Sequence, residues 1–247
     1  MPELSVIIIT HNEAHNMRAC LESVAWADEI IVVDSGSSDD TVAICREFTP
    51  HVHVREWPGF GMQKNRALEL ATRDWALSLD ADERVTPELH TQIVTALKKA
   101  DKDGFYLPRR SQFCGQFIKH SGWYPDYVLR LFKREQGRFS DDLVHESVTL
   151  QGSAGRLSSP LLHYSYLNEA DVQRKVEQYS SAAALQMAKS GKSASHAGAA
   201  VHAAWAFFRT YCLRLGFLDG SAGLNIARMN ARTTYLKYKK LRVMRSA

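Results

Sequence analysis

The sequence predicts an α/β fold: a mostly parallel central sheet flanked by helices, with a helical C-terminal extension. Three observations predict it. Two β-branched runs, Ser5-Val6-Ile7-Ile8-Ile9 and Glu29-Ile30-Ile31-Val32-Val33, lack polar alternation, as strands covered on both faces do. Helical patterns stand between the strand signals through the first hundred residues, the alternation that a parallel sheet with crossover helices requires. Beyond about Tyr166 the strand signals stop and helical patterning runs to the end, broken near 189–195 and 219–223.

Each element has its own warrant. The first strand ends in Thr10-His11-Asn12-Glu13, and Met17, Cys20, Leu21 and Val24 then mark a helix. The second closes in Asp34-Ser35-Gly36-Ser37-Ser38-Asp39-Asp40-Thr41, where Asp39 or Asp40 caps a helix over 41–48. His51 to Val54 reads as a short third strand, and Pro58-Gly59-Phe60-Gly61 leads into a helix over 62–72. Trp75 to Leu79 is the fourth strand, and Pro87 opens a helix reaching about Ala100. From Gly104 to about His163 short extended pieces such as Tyr127–Phe132 extend the same sheet in mixed fashion. The expected organisation is one domain over 1–165, with a nucleotide-binding half (1–100) and an acceptor-side half (101–165), and a helical extension over 166–247.

Composition narrows the class. A chain of 247 residues, 45% hydrophobic and 23% charged, has the makings of an ordinary globular protein with a full core. Cys20, Cys45, Cys114 and Cys212 stand far apart, which argues against a zinc site or a disulfide framework and fits a reducing cytosol. Neither an export signal nor a run of ~20 apolar residues is visible. Charge is uneven: residues 201–247 hold nine Lys or Arg against one acid, Asp219, a balance of +8 in a chain of +4, so the first 200 residues are net negative. A basic, aromatic-rich tail suits an anionic surface.

The chemistry sits where strands end, the place at which open α/β sheets keep their ligand crevices. Asp80-Ala81-Asp82 closes the fourth strand with two carboxylates at i, i+2, hard oxygen ligands for a divalent cation that could in turn hold a diphosphate. By itself the tripeptide also reads as a solvated turn. Thr10-x-Asn12-Glu13 and the 34–41 cluster offer small hydrogen-bonding groups beside helix N-termini, for a nucleotide or for plain capping. Gly59-x-Gly61-x-x-Lys64-Asn65 is neither a dinucleotide fingerprint nor a Walker loop, although Lys64 could reach a phosphate or carboxylate.

The ordered series is more specific than its parts. A buried strand into T-x-N-E, a second into D-S-G-S-x-D-x-T, then G-x-x-x-K-N-x-A and L-D-A-D-E, resembles the family-2 glycosyltransferases, whose nucleotide-sugar-binding fold is called GT-A. The likeness covers residues 4–84. His120-Ser121-Gly122-Trp123-Tyr124-Pro125-Asp126, Arg130 to Arg134, Val144-His145-Glu146 and Pro160 to Tyr164 extend it toward the bacterial lipopolysaccharide core β-glucosyltransferase branch.

The resemblance implies an inverting enzyme that moves a hexose, glucose, from a UDP-sugar to a lipid-linked saccharide acceptor of the inner core. It implies that Thr10, Asn12, Glu13 and Asp34 hold uracil and ribose with Lys64 nearby, that Asp80 lies at the ribose or sugar, and that Asp82 ligates Mg²⁺ or Mn²⁺. Arg130 could pair with phosphate or face solvent. The general base is Glu146 by position in that branch; Asp142 of the Asp141-Asp142 pair and Asp126 are the alternatives. His145 or His163 could complete the metal sphere. His51 and His53 share a strand face without a third ligand, and His11 and His15 read as surface residues.

In the tail, Val201, Trp205, Phe208, Cys212 and Leu215 form one helical stripe, with Arg209 and Arg214 off it. It either packs on the catalytic domain or meets anionic lipid, and a lipid-linked acceptor favours the second, with the enzyme cytoplasmic and peripheral to the inner face of the membrane. Two other classes compete. One is a non-catalytic nucleotide-sugar-binding or membrane-recruited scaffold. The other is nucleic-acid binding, for which no motif accompanies the basic tail.

Overall fold

Residue parity divides the first strand between two cores. Successive side chains of a strand point to opposite faces, and β1 (Leu4–Thr10) is buried along its whole length. Leu4, Val6 and Ile8 enter one hydrophobic cluster, Ile7 and Ile9 the other. β2 (Glu29–Asp34) repeats the division, with Ile30 and Val32 on the first side and Ile31 and Val33 on the second. This is the covered sheet that the unalternating runs predict.

The computed structural model describes residues 2–140 and 147–246. Between and after the first two strands lie α1 (Ala14–Glu22), α2 (Thr41–Phe48), β3 (Val52–Val54), α3 (Phe60–Leu70), β4 (Trp75–Asp80), β5 (Glu83–Val85) and α4 (Pro87–Lys99). The strands β6 (Gly104–Phe113), β7 (Gln116–Phe117), β8 (Asp126–Lys133), β9 (Gly137–Phe139), β10 (Val148–Leu150), β11 (Ala154–Arg156) and β12 (Leu161–Tyr166) follow. The helices α5 (Glu169–Lys189), α6 (His196–Phe208) and α7 (Gly220–Ser246) complete the chain.

The chain forms two compact units, residues 1–109 with 126–163, and residues 110–125 with 164–247. In the first, the strand order β3-β2-β1-β4-β8-β6 begins parallel and turns antiparallel at β8. Met17, Cys20 and Leu21 of α1, with Leu89, Ile93 and Leu97 of α4, cover one face, while Ala67 and Leu68 of α3 and Phe139 of β9 cover the other. The chain leaves β1 for β2 on one side and returns at β4 on the other, so a topological switch lies at the carboxyl end of β1. There Thr10 is in register with Asp34, and Ile9 with Asp80.

The second unit is centred on Phe113, Ile118, Ala222 and Ile226. Residues 110–125, expected within the acceptor-side half, join the helices because Phe113 and Ile118 bury against α7. The helix expected at 62–72 runs from Phe60 to Leu70, entered from Gly59 at φ 118°, a conformation that glycine adopts freely. The helical stripe expected through Leu215 is also interrupted. After Phe208 the chain passes into a π-helical turn (Arg209–Leu213) and a 3₁₀ turn (Gly216–Asp219). A Cβ at Gly216 would stand 2.7 Å from the Thr210 carbonyl oxygen, so this reversal requires a residue without one. All five residues of the stripe are exposed.

Leu77 has no solvent exposure, lies between Val6 of β1 and Leu131 of β8, and belongs to the larger cluster. Leu77→Ala should cost about 2–5 kcal/mol through lost burial and the cavity left behind, read as a lower denaturation midpoint in urea.

Candidate active site

Two loops at the carboxyl end of the sheet are joined to one another by hydrogen bonds. Asn12 N–H donates to Ser37 Oγ at 2.8 Å, and Ser38 N–H to Asn12 Oδ1 at 2.8 Å. Glu13 N–H donates to Thr41 Oγ1 at 2.8 Å, and Ala14 N–H to Asp39 Oδ2 at 3.2 Å. Asn12 takes a left-handed φ of 54° to make these contacts, a conformation Asn tolerates better than most residues. Asp34 is fully buried and shapes its own loop, accepting from Gly36 N–H at 2.9 Å, Ser37 N–H at 2.8 Å and Ser37 Oγ at 2.5 Å. Glu13 accepts from Asn16 Nδ2 at 2.8 Å. Of the two candidate caps of α2, Asp39 accepts from Thr41 N–H at 3.0 Å, while Asp40 makes no side-chain capping bond.

Thr10 differs from its neighbours. It is 5% exposed, and among the described residues its Oγ1 has no hydrogen-bond partner. A buried hydroxyl without a partner costs free energy that a ligand's donor or acceptor can recover.

At the end of β4 the carboxylates divide. Asp80 Oδ1 lies 2.8 Å from Nζ of Lys64, a lysine of α3 only 2% exposed. Its other oxygen is bound by Arg130 of β8. Arg130 also donates to Oε1 of the fully buried Glu83 at 2.9 Å, and Glu83 Oε2 accepts from Asp80 N–H at 3.0 Å. Arg109 stands 3.7 Å from Glu83 and donates twice to Asp126, at 3.0 and 2.7 Å. The order Lys64, Asp80, Arg130, Glu83, Arg109, Asp126 thus alternates in sign. Burial opposes the charge on Asp80, but Arg130 and then Lys64 outweigh it and hold its carboxyl well below the usual range. Burial likewise opposes the charge on Arg130, and Asp80 and Glu83 outweigh it in turn.

Asp82 stands outside this chain of charges. Its Oδ2 lies 3.2 Å from Nε2 of His163 on β12. Among the described residues no group of three or more His, Cys, Asp or Glu is placed to hold an ion. The Asp82 carboxylate nevertheless fits a hard cation that takes its remaining ligands from substrate phosphates and water, with the His163 imidazole beside it as a nitrogen donor that such cations use less often.

Helix α3 serves three strand ends with consecutive side chains. Gln63 Nε2 donates to Ser35 Oγ at 3.1 Å, and Lys64 reaches Asp80. Asn65 both donates to the Phe139 carbonyl and accepts its N–H, each at 2.9 Å. Beyond Phe139, Ser140 N–H donates to the Ser147 carbonyl at 2.9 Å. Asp141, Asp142, His145 and Glu146 lie outside the described residues. Sequence reasoning assigned no role to Gln63, Asn65, Glu83 or Arg109. The signal for Glu83 was an acid directly after the Asp80-Ala81-Asp82 run; Arg109 carried none.

The sequence model of Glycosyl transferase family 2 matches residues 5–153, more than half of the chain. The chain belongs to this family. The transferase is 30% identical over 260 residues to an uncharacterized glycosyltransferase of Rickettsia felis, a match covering 98% of this chain and 90% of that one. It is 32% identical over 202 residues to the lipopolysaccharide core biosynthesis glycosyltransferase LpsC of Rhizobium meliloti, covering 76% and 73%. Among solved structures it resembles residues 1–349 of S. aureus TarS in complex with UDP-GlcNAc, with a TM-score of 0.50 at 16% identity, covering 73% of this chain and 65% of that one. That likeness shows the fold, the GT-A fold expected from the strand-end series.

Arg130 is the shared counter-ion of two carboxylates. Arg130→Met should destabilise the transferase by about 3–5 kcal/mol by leaving, among the described residues, the buried Glu83 with only the more distant Arg109 beside it and Asp80 with one of its two cationic partners, measured by chemical denaturation. Arg130→Lys should recover only part of this, because an ammonium lacks the guanidinium fork.

Proposed function

We propose that this protein is an inverting hexosyltransferase that moves glucose from UDP-glucose to a saccharide of the lipopolysaccharide or lipooligosaccharide inner core, forming a β-linkage. The observation that carries this reading is the division of labour at the end of β4. Asp80 is neutralised by Lys64 and Arg130, whereas Asp82 faces His163 alone among the described residues. The similarity to LpsC supports the acceptor class. TarS, seen with UDP-GlcNAc, supports a UDP-sugar donor.

In this reading the unpartnered hydroxyl of Thr10, with Asn12 and Glu13, receives the uracil and ribose, on loops already set by Asp34 and Asp39. Asp80 is locked in its ionised form and accepts from a donor hydroxyl at the ribose or sugar. Lys64 and Arg130 keep that carboxylate charged and add positive potential where the diphosphate lies. Asp82 and His163 would hold Mg²⁺ or Mn²⁺, which supplies charge neutralisation to the departing UDP. Inversion requires a base that takes the proton of the acceptor hydroxyl on the face opposite the diphosphate. Glu146 is the proposed base, with Asp142 and Asp126 as the alternatives; Asp126 is the one of the three bonded by Arg109 among the described residues. A lipid-linked acceptor sets the enzyme to work at the inner face of the cytoplasmic membrane.

Metal-dependent release of UDP from UDP-glucose in the presence of acceptor tests the reading. Asp82→Asn should lower it by at least about 100-fold, since the ion supplies several kcal/mol of charge stabilisation, and His163→Ala should lower it in the same sense. Full metal-dependent activity in Asp82→Asn would sink the metal assignment.

Glu146→Gln should lose about 10²–10⁴-fold in turnover while retaining UDP-sugar binding in a thermal-shift assay. If Asp142→Asn shows that profile and Glu146→Gln does not, the base is Asp142.

A further inference from the structure

Within the second unit, the reversal between α6 and α7 carries several large apolar groups outside and two polar groups, Thr210 and Asp219, inside. On α6, Val201 is 67% exposed, Trp205 54% and Phe208 46%. Leu213, Leu215, Phe217 and Leu218 continue this surface around the turns, each at least 45% exposed. Facing inward are Thr210, 5% exposed and bonded by Asn230 at 3.0 Å, and Asp219, 4% exposed. Leu215 is held at φ 55°, which a branched side chain adopts only under strain. Single exposed apolar residues are ordinary; a contiguous set backed by buried polar groups marks a surface with a partner.

Charge selects the partner. From Gln178 to the C-terminus there are eleven Lys and Arg, and the sole acid is Asp219, which is buried. Arg209 and Arg214 lie within the apolar set itself. Aromatic and aliphatic groups beside basic residues, with no exposed acid, match an anionic bilayer surface. Among the described residues no helix is long and apolar enough to cross a membrane.

Asp219 ties this tip to another loop. Its carboxylate accepts from Lys119 N–H at 3.1 Å, His120 N–H at 3.1 Å and Ser121 Oγ at 2.8 Å, and stands 3.2 Å from His120 Nδ1. Ser121 N–H donates to the Arg214 carbonyl at 2.8 Å, and the Arg214 side chain fills the space that a Cβ at Gly122 would need.

We propose that the apolar tip formed by α6 and residues 213–218 seats on an anionic phospholipid surface, and that the Asp219 clamp holds loop 119–122 at that surface as one body with the tip. This deepens the proposed function, on which it rests only in taking the acceptor to be lipid-linked: loop 119–122 would then stand where the acceptor's sugars leave the bilayer.

The test is co-sedimentation of the full chain with phosphatidylcholine vesicles, with and without phosphatidylglycerol. Neither donor nor acceptor is present, so its outcome is independent of the transferase reading. Wild-type protein should bind the phosphatidylglycerol vesicles, and Phe217→Glu/Leu218→Glu should bind them at least about tenfold more weakly, with an unchanged circular dichroism spectrum as the check on folding. Trp205→Glu, on the helix rather than the turn, should weaken binding in the same sense. On vesicles, the amides of 119–122 should gain protection from hydrogen exchange together with those of 213–218. Equal binding by wild type and double variant would overturn the docking face. A lipid-free dimer that the double variant splits would assign the face to a second copy. Protection of 213–218 without 119–122 would overturn the clamp.

Discussion

The site depends on one guanidinium. Arg130 stands between Asp80, at the end of β4, and Glu83, the first residue of β5, and without it two acids would lie together at a strand end, offset less closely by Lys64 and the more distant Arg109. The interaction reaches across the sheet, since Arg130 arrives on β8, the antiparallel neighbour of β4. The pairing of β8 with β4 is therefore what brings the compensating charge to Asp80. With Glu83 fully enclosed, the cost of separating these charges is large, and the geometry at the end of β4 is correspondingly fixed.

Fixing Asp80 gives Asp82 its individuality. Two carboxylates spaced i, i+2 on an open turn would compete for any cation that approached. Here one is held by cations of the protein itself and the other faces an imidazole. The cross-loop bonds between residues 12–14 and 37–41 act in the same direction: they fix the two loops to one another, and the nucleotide proposed to bind there would meet loops that need little reordering, which lowers the entropic cost of binding.

Much of this was legible in the residues, and the boundary of legibility has physical causes. The unalternating runs of β1 and β2 announced burial on both faces, and each is divided by parity between two cores. The strand-end series announced the family, because loops that must meet a nucleotide restrict residue type at fixed offsets from their strands. Pairings between distant segments were not legible. The partners of Asp80 come from α3 and β8, and Arg109 follows Arg109's own strand, β6, to Glu83 and Asp126; local spacing contains no information about which strands become neighbours. The tail misled in a different way. Spacings of three and four suggested one continuous stripe, yet Gly216 allows a close backbone approach that reverses the chain, a tertiary requirement with no periodic signature.

Gln63, Lys64 and Asn65 have a consequence for how the chain can change in length. Adjacent residues on a helix point about 100° apart, so three in succession reach the β2 loop, the end of β4 and β9 only at one rotational setting of α3. A substitution removes one of these contacts and leaves the other two in place. An inserted or deleted residue upstream within the helix would turn all three away together. The helix is thus bound to a fixed count of residues from Gly59.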